Sequence, residues 1–198
     1  MSSKRAAVVL HQYVSGHLAL LDQQEGRLDV RPRASRKRYE QLFRGAHISY
    51  MPVMQQGAVH AYDIDILDMP FALAQEDILF FHHVLELVYT FFPVGAWCTD
   101  IFALMNILYR GSELLKTSPA KSFFLLRLFD LLGFHPERQK FQGAAFHALV
   151  AIPIDMLLQE GIDLQAHEYI HAWLNDCIKS HPMIHSLKTV HFLETVRT

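Results

Sequence analysis

The chain has 198 residues, of which 51% are hydrophobic, and this composition is sufficient for a sizeable core in one domain or two small ones. Its formal net charge is −2, so the total charge by itself does not indicate nucleic-acid binding, as it does in strongly basic proteins. The two cysteines, Cys98 and Cys177, form no CxxC pair, which argues against a disulfide framework and against a cysteine zinc knuckle.

The first third of the chain is predicted to form five short β-strands separated by turn residues such as Ser15-Gly16. In the fifth segment Ile64 and Ile66 alternate with aspartates, which is the pattern of a strand with one apolar face. Five closely spaced strands indicate a small OB-type β-barrel, although other five-stranded barrels have the same periodicity. The predicted strands are residues 6–14, 17–22, 26–31, 47–53 and 58–67.

The stretch that connects the third and fourth predicted strands, residues 30–44, is strongly basic, and we call it the basic segment. Residues 1–50 hold nine Lys and Arg against four Asp and Glu, whereas residues 51–198 hold nine against sixteen. A flexible cationic segment between strands suits a polyanion, because Lys and Arg near phosphates release condensed counterions and Arg can direct two donors to phosphate oxygens. The alternative is a solvated, charged surface loop. The candidate nucleic-acid-binding residues are its cations and one aromatic side chain, namely Arg31, Arg33, Arg36, Lys37, Arg38, Arg44 and Tyr39.

From Pro70 onward the periodicity changes from strand to helix. The chain is therefore predicted to be α+β, with a basic β-barrel at residues 1–70 followed by an all-α helical bundle at residues 71–198. Gly133 followed by Pro136 is typical of a helix end with glycine in the left-handed region. The predicted helices are residues 74–92, 96–109, 120–132, 142–159, 163 or 165 to 180, and 186–196.

The longest apolar run, residues 77–97, is interrupted by His82, His83, Glu86 and Pro93. Such interruptions favour a buried helix over a membrane span. The first residues lack the apolar core and the small-residue cleavage pattern of a signal peptide. The sequence therefore predicts a cytoplasmic protein with no membrane partner.

Three blocks of the sequence, in their order and spacing, resemble the bacterial recombination-mediator family RecO. Residues 8–53 are similar to that family's strand–turn–strand opening, basic loop, Arg-Gly pair and following strand. Residues 123–137, FFLLRLFDLLGFHPE, are similar to its core helix ending in Leu-Leu-Gly. Residues 184–193, IHSLKTVHFL, are similar to its closing helix.

The resemblance implies a DNA-repair protein that binds single- and double-stranded DNA and anneals strands coated by single-strand-binding protein. It further implies action at the nucleoid with a RecR-like mediator to load a RecA-like recombinase. Annealing requires no general acid, base or nucleophile, so neither a catalytic residue nor enzymatic activity is expected. Many family members carry a four-cysteine zinc site after the Leu-Leu-Gly block, but residues 137–150 contain no cysteine here, so neither a metal nor another cofactor is expected.

A competing motif occurs near the end of the chain. His167-Glu168-Tyr169-Ile170-His171 is an HExxH sequence on a predicted helix, where the two imidazoles would lie one turn apart on the same face. Such a pair can hold zinc while the glutamate polarises a water molecule. The extended HExxHxxGxxH signature is absent, because Leu174 and Cys177 occupy its later positions. A zinc-dependent hydrolase is therefore the alternative hypothesis, and an all-α interaction protein with a small β head is the third.

Overall fold

Five strands form a closed barrel at the N-terminal end of the chain. The computed structural model describes residues 3–33, 42–110, 115–134 and 164–189. The strands are β1 (Arg5–Gln12), β2 (Leu18–Asp22), β3 (Gly26–Pro32), β4 (His47–Gln55) and β5 (Ala58–Asp68). They lie in the order β1-β2-β3-β5-β4, and β4 pairs with β1 to close the barrel. The β3–β5 pairing is parallel and the other four are antiparallel. The prediction of an OB-type barrel is confirmed.

Alternate residues of each strand point into the barrel, and most of these interior side chains are small or branched. Tyr50 is the largest of them, and its hydroxyl donates to Asp22 Oδ2 at 2.6 Å. The other carboxylate oxygen of Asp22 accepts from the backbone amides of Gln24 and Glu25 at 2.7 and 2.8 Å. One buried carboxylate therefore links the β2–β3 turn to the interior. The remaining buried side chains include Ala7, Val9, Leu18, Leu20, Val30, Ile48, Ala61 and Ile64.

The helices pack against the outer face of β1 and β2. They are α1 (Phe71–Phe91), α2 (Thr99–Arg110), α3 (Ser118–Leu131) and α4 (Leu164–Ser180), followed by one 3₁₀ turn at Ile184–Ser186. Four outward-pointing barrel side chains are fully buried in a hydrophobic cluster with residues of all four helices. The barrel and the helices therefore share one core. The barrel residues in that cluster are Val8, Leu10, Ala19 and Leu21.

The chain after α1 returns to the barrel at β3. The backbone amide of Arg27 donates to Ala96 O at 3.3 Å, and the amide of Gly95 donates to Arg27 O at 2.8 Å. The Arg27 guanidinium also donates to Phe92 O at 2.8 Å, so a barrel side chain satisfies a carbonyl at the C-terminal end of α1. Gly26 allows this approach, because a Cβ at its position would lie 1.8 Å from Ala96 O.

A kink in α1 occurs at Asp77, where the backbone leaves the helical region (φ −154°, ψ 74°). The Asp77 carboxylate accepts from the amide of Phe80 at 2.9 Å, as an N-cap residue does, and its second oxygen contacts Lys121 Nζ on α3. The helix therefore restarts at this residue and is tied to α3 there.

The C-terminal end of α3 confirms the prediction for Gly133, whose φ is +85°. Its amide donates to Asp130 O, and the amide of Phe134 donates to Phe129 O, both at 2.9 Å. These are the two hydrogen bonds of a Schellman motif, and the Phe134 and Phe129 rings lie 5.3 Å apart between centroids. The glycine is required because a left-handed φ strains a residue with a Cβ.

The C-terminal prediction was wrong in part. Residues 187–189 lie outside any helix, because the 3₁₀ turn ends at Ser186 and is followed by an extended residue and a turn. The rest of the predicted 186–196 helix, and the whole predicted 142–159 helix, lie outside the described residues. Within the described ranges, no helix combines the length and the apolar character needed to cross a membrane.

Candidate nucleic-acid interface

Two of the candidate cations, Arg31 and Arg33, lie at the C-terminal end of β3. Val30 points into the barrel, so Arg31 points outward, and its side chain is exposed. Arg33 is also exposed and follows the last residue of the strand. Its backbone amide donates to Ala61 O at 2.7 Å, which holds this residue at the edge of β5.

The parallel register of β3 and β5 adds two further side chains to this surface. Arg31 lies beside His60, and Pro32 lies beside Ala61. Because Ala61 points into the barrel, its neighbours His60 and Tyr62 point outward. The four outward side chains form a surface that we call the β3–β5 face, consisting of Arg31, Arg33, His60 and Tyr62.

A side-chain hydrogen bond on the β3–β5 face joins Arg33 to His60. Arg33 Nε donates to His60 Nδ1 at 2.9 Å, so the imidazole is neutral, with its proton on Nε2. His60 is only 3% exposed, although it points away from the barrel interior. Burial lowers the pKa of His60, and the charges of Arg33 and Arg31 lower it further.

The cations of the β3–β5 face differ from another barrel cation in their charge balance. Lys4 pairs with Asp65 on β5 at 2.5 Å, so its charge is compensated. In the described part of the chain, neither Arg31 nor Arg33 has a carboxylate partner. Among the described residues their positive charge is therefore uncompensated, which favours an anion from solvent.

The basic segment continues beyond Arg33 into residues 34–41, which lie outside the described residues. This range contains four of the predicted site residues, Arg36, Lys37, Arg38 and Tyr39. They follow Arg33 directly in the chain, so the basic segment is continuous in sequence with the β3–β5 face.

Arg44 lies at the junction between the barrel and α1, and it is half-buried there. Burial lowers the pKa of Arg44, while the Glu86 carboxylate and Tyr89 favour its charged form. Both of these groups lie on α1, whereas Arg31 and Arg33 lie beside β5. Arg44 therefore lies near α1 and is not part of the β3–β5 face.

Two other tyrosines of the barrel pack against the protein itself and do not belong to the β3–β5 face. Tyr50 is fully buried in the interior and packs there. Tyr13 is half-buried at the junction with α1, where its hydroxyl donates to Asp29 Oδ1 and accepts from Tyr89, both at 3.2 Å. The His11 ring completes this cluster by stacking on the Tyr89 ring at 4.8 Å between centroids.

The HExxH residues lie on α4, with the His167 and His171 ring centroids 6.1 Å apart. His171 is buried, and its Nδ1 accepts from Asn175 Nδ2 at 3.0 Å, which puts the imidazole proton on Nε2. Glu168 is exposed. In the ranges that the structure describes, no group of three or more His, Cys, Asp or Glu side chains is arranged to hold a metal ion.

Sequence reasoning missed His60 and Tyr62 as members of the candidate interface. The signal for their common orientation was present, since they stand two residues apart in the alternating segment of β5. Their position beside Arg31 and Arg33 depends on a parallel pairing between strands about 30 residues apart, which alternation within one strand does not reveal.

Comparison of the chain with protein-family models and with curated proteins finds no match.

Proposed function

We propose that this protein is a DNA-binding recombination mediator, which binds single- and double-stranded DNA through the β3–β5 face and the basic segment that follows it. The observation that carries the proposal is the exposed pair Arg31 and Arg33 on the outside of an OB-type barrel. Within the described ranges these guanidinium groups have no carboxylate partner. The helical core buries barrel residues of β1 and β2, so this surface and that core lie on different strands.

The cations would bind the phosphate backbone and not the bases. Phosphate contacts position a protein on DNA without reading its sequence, and they release counterions. Arg31 and Arg33 begin this surface, and Arg36, Lys37 and Arg38 extend it by three charges in sequence. Binding is therefore expected to be independent of sequence and to weaken steeply with salt.

Aromatic side chains beside the cations supply the contact to single strands. Tyr62 is half-exposed and points outward on β5, and Tyr39 belongs to the basic segment. Base–aromatic stacking tolerates any sequence because every base presents a π-face, and it requires an unpaired base. These tyrosines would therefore favour single strands, while the arginines would bind the backbone of single strands and duplexes alike.

The partners follow from the resemblance to the RecO family. The protein would anneal strands coated by single-strand-binding protein and would act with a RecR-like mediator to load a RecA-like recombinase, in the cytoplasm at the nucleoid. These steps exchange base pairs and protein contacts without breaking a covalent bond. A non-enzymatic role of this kind needs neither a cofactor nor the HExxH residues of α4.

The test is a salt-dependent binding titration with a labelled single strand and its duplex. Wild-type affinity should fall linearly with the logarithm of salt concentration, and the Arg31→Ala/Arg33→Ala variant should reduce the slope by roughly one and a half to two units. Lys4→Ala is the matched control, because Lys4 is a barrel cation already paired with Asp65. Affinity that does not respond to salt, or an equal loss in the control, would refute the proposal.

A further inference from the structure

We infer that His60 is a positioning residue for nucleic-acid binding. Its Nδ1 accepts the Nε–H of Arg33 and so holds the Arg33 guanidinium in the orientation in which its remaining N–H donors meet a phosphate. This inference rests on the proposed function and concerns the same surface. It assigns a role to a side chain that carries no charge in this geometry and that would not touch the nucleic acid itself.

The hydrogen-bond geometry indicates that the imidazole of His60 orients the guanidinium of Arg33. His60 Nδ1 accepts the Nε–H of Arg33 at 2.9 Å, and His60 is 3% exposed, so the ring is fixed while the guanidinium remains on the exposed side. A guanidinium has five N–H donors. The one on Nε is used by His60, which leaves the four on the two Nη atoms for the forked contact that Arg makes with phosphate oxygens.

The charge state of the imidazole suits the same task. Only a neutral ring can accept the Arg33 donor at Nδ1, because an imidazolium carries a proton on both nitrogens. Burial and the charges of Arg33 and Arg31 lower the pKa of His60, so the ring stays neutral at physiological pH. The two arginines thereby maintain the acceptor on which one of them depends.

Fixing Arg33 in advance would matter because an exposed arginine is flexible. A long side chain loses rotamer freedom when it binds a ligand, and a group already held in its bound orientation loses less. In the described residues Arg31 has no such acceptor, so it supplies charge without the same restraint. The two arginines of the β3–β5 face are therefore expected to respond differently to a change at His60.

The experiment is a double-mutant cycle between residues 33 and 60, read by the affinity for a labelled single strand. His60→Phe keeps a planar ring of similar size but removes the acceptor, and it should weaken binding roughly three- to ten-fold. In an Arg33→Ala background the same change should have no further effect. In an Arg31→Ala background it should cost the full factor. His60→Asn, whose amide oxygen replaces Nδ1, should restore most of the affinity.

A second pair of variants keeps the test independent of folding. Arg33→Lys retains the charge but lacks the Nε–H, so it should lose affinity as His60→Phe does, and adding His60→Phe to it should change nothing. Circular dichroism and the thermal midpoint of each variant show whether it folds. If His60→Phe does not fold, the comparison of His60→Asn with wild type and the Arg33→Lys variant decide the question.

The outcomes separate this inference from the proposed function. Wild-type protein that binds no DNA refutes both. Suppose that wild-type binding depends on salt, but that His60→Phe lowers the affinity by the same factor in the Arg33→Ala background. This result overturns the positioning role of His60 and leaves the DNA-binding role intact. An unchanged affinity of folded His60→Phe does the same. A loss that depends on Arg33 and is rescued by His60→Asn supports the inference.

Discussion

Gly26 and Gly57 provide a matched pair for separating backbone strain from close packing. Both have a left-handed φ, +74° and +77°, but a Cβ on Gly26 would lie 1.8 Å from Ala96 O, whereas one on Gly57 would meet nothing within 4 Å. Gly57→Ala should cost about 1–2 kcal/mol of unfolding free energy from the φ alone. Gly26→Ala should cost more, about 3 kcal/mol or above, because the chain after α1 must move from β3. Urea unfolding of the two variants measures the difference, and equal losses would contradict the close approach.

His83 on α1 makes stability depend on pH. It is fully buried, and burial lowers its pKa to about 4. Thr189 Oγ1 donates to Glu86 and therefore accepts from His83 Nδ1–H, at 2.6 Å, so a neutral ring satisfies this hydrogen bond. Since the unfolded chain has the ordinary histidine pKa near 6.5, it binds more protons than the folded chain between about pH 6.5 and 4. The contribution of neutral His83 to the free energy of unfolding is therefore complete above about pH 6.5, and it is lost as the pH falls from 6.5 to about 4.

We therefore expect acid to destabilise the protein well above the range in which carboxylates titrate. Between pH 7.5 and pH 5, His83 should account for a loss of about 2 kcal/mol of unfolding free energy. The pKa values of His11, His82 and His181 are also lowered by burial and shift stability in the same direction. In His83→Asn the loss between the two pH values should be smaller by about 2 kcal/mol. An identical pH response in that variant would remove His83 as the cause.

At the scale of elements, α1 organises the contacts between distant parts of the chain. Its buried Glu86 accepts from the backbone amides of Lys188 and Thr189 at 2.8 and 2.9 Å, so the segment after the 3₁₀ turn is attached to α1. Burial by itself raises the pKa of Glu86, but the hydrogen bonds from Thr189 and from these two amides, with the charge of Arg44, lower it below the ordinary value. The charged carboxylate is therefore the form that holds this segment.

Glu86→Ala should destabilise the protein by about 2–4 kcal/mol, because it leaves two backbone amides and the Thr189 hydroxyl without their acceptor and removes the carboxylate charge that favours the charged form of Arg44. The attached segment should also open locally, so trypsin should cleave after Lys188 at least roughly ten times faster. Glu168→Ala removes an exposed carboxylate from α4 and should change stability by less than about 0.5 kcal/mol. Unchanged cleavage after Lys188 in Glu86→Ala would show that other contacts hold the segment.

Sequence patterns predicted the bounds of the strands and helices better than the pairings and contacts between these elements. All five strands were placed within two residues at each end, because alternation and turn glycines are local signals. The end of α3 at Gly133 was predicted for the same reason. The β3–β5 pairing and the attachment of Lys188 and Thr189 to Glu86 were not predictable, because they join residues that no local periodicity relates. The candidate interface was accordingly half-predicted, with its arginines found and His60 and Tyr62 missed.

At the scale of the whole molecule, the shared core argues for a single cooperative unit. Val8, Leu10, Ala19 and Leu21 point out of the barrel and are nevertheless fully buried against the helices. Without the helices these four side chains would be exposed to water, at a cost of about 1–3 kcal/mol for each of the larger ones. The barrel therefore depends on the helical part for its stability, and the two are expected to unfold together.

The division of the chain at residue 70 can be tested on this basis. Calorimetry of the full chain should show one transition, with equal calorimetric and van 't Hoff enthalpies. A fragment of residues 1–70 should be unstable and should bind a hydrophobic dye through the exposed outer face of β1 and β2. Two resolved transitions, or a fragment with a cooperative melt of its own, would show that the barrel is an independent domain.

The parallel pairing of β3 with β5 sets the order in which the candidate interface can be made. Arg33 is synthesised 27 residues before His60, and the two side chains can meet only when β5 has paired with β3. Contacts between residues so distant in sequence form late, after loop closure has been achieved. A nascent or partly folded chain therefore carries the basic segment as unorganised charge. The β3–β5 pairing is one of the two long-range pairings that close the barrel, the other being β1–β4. The proposed phosphate contact of an oriented Arg33 should therefore appear only in chains whose β5 has paired with β3.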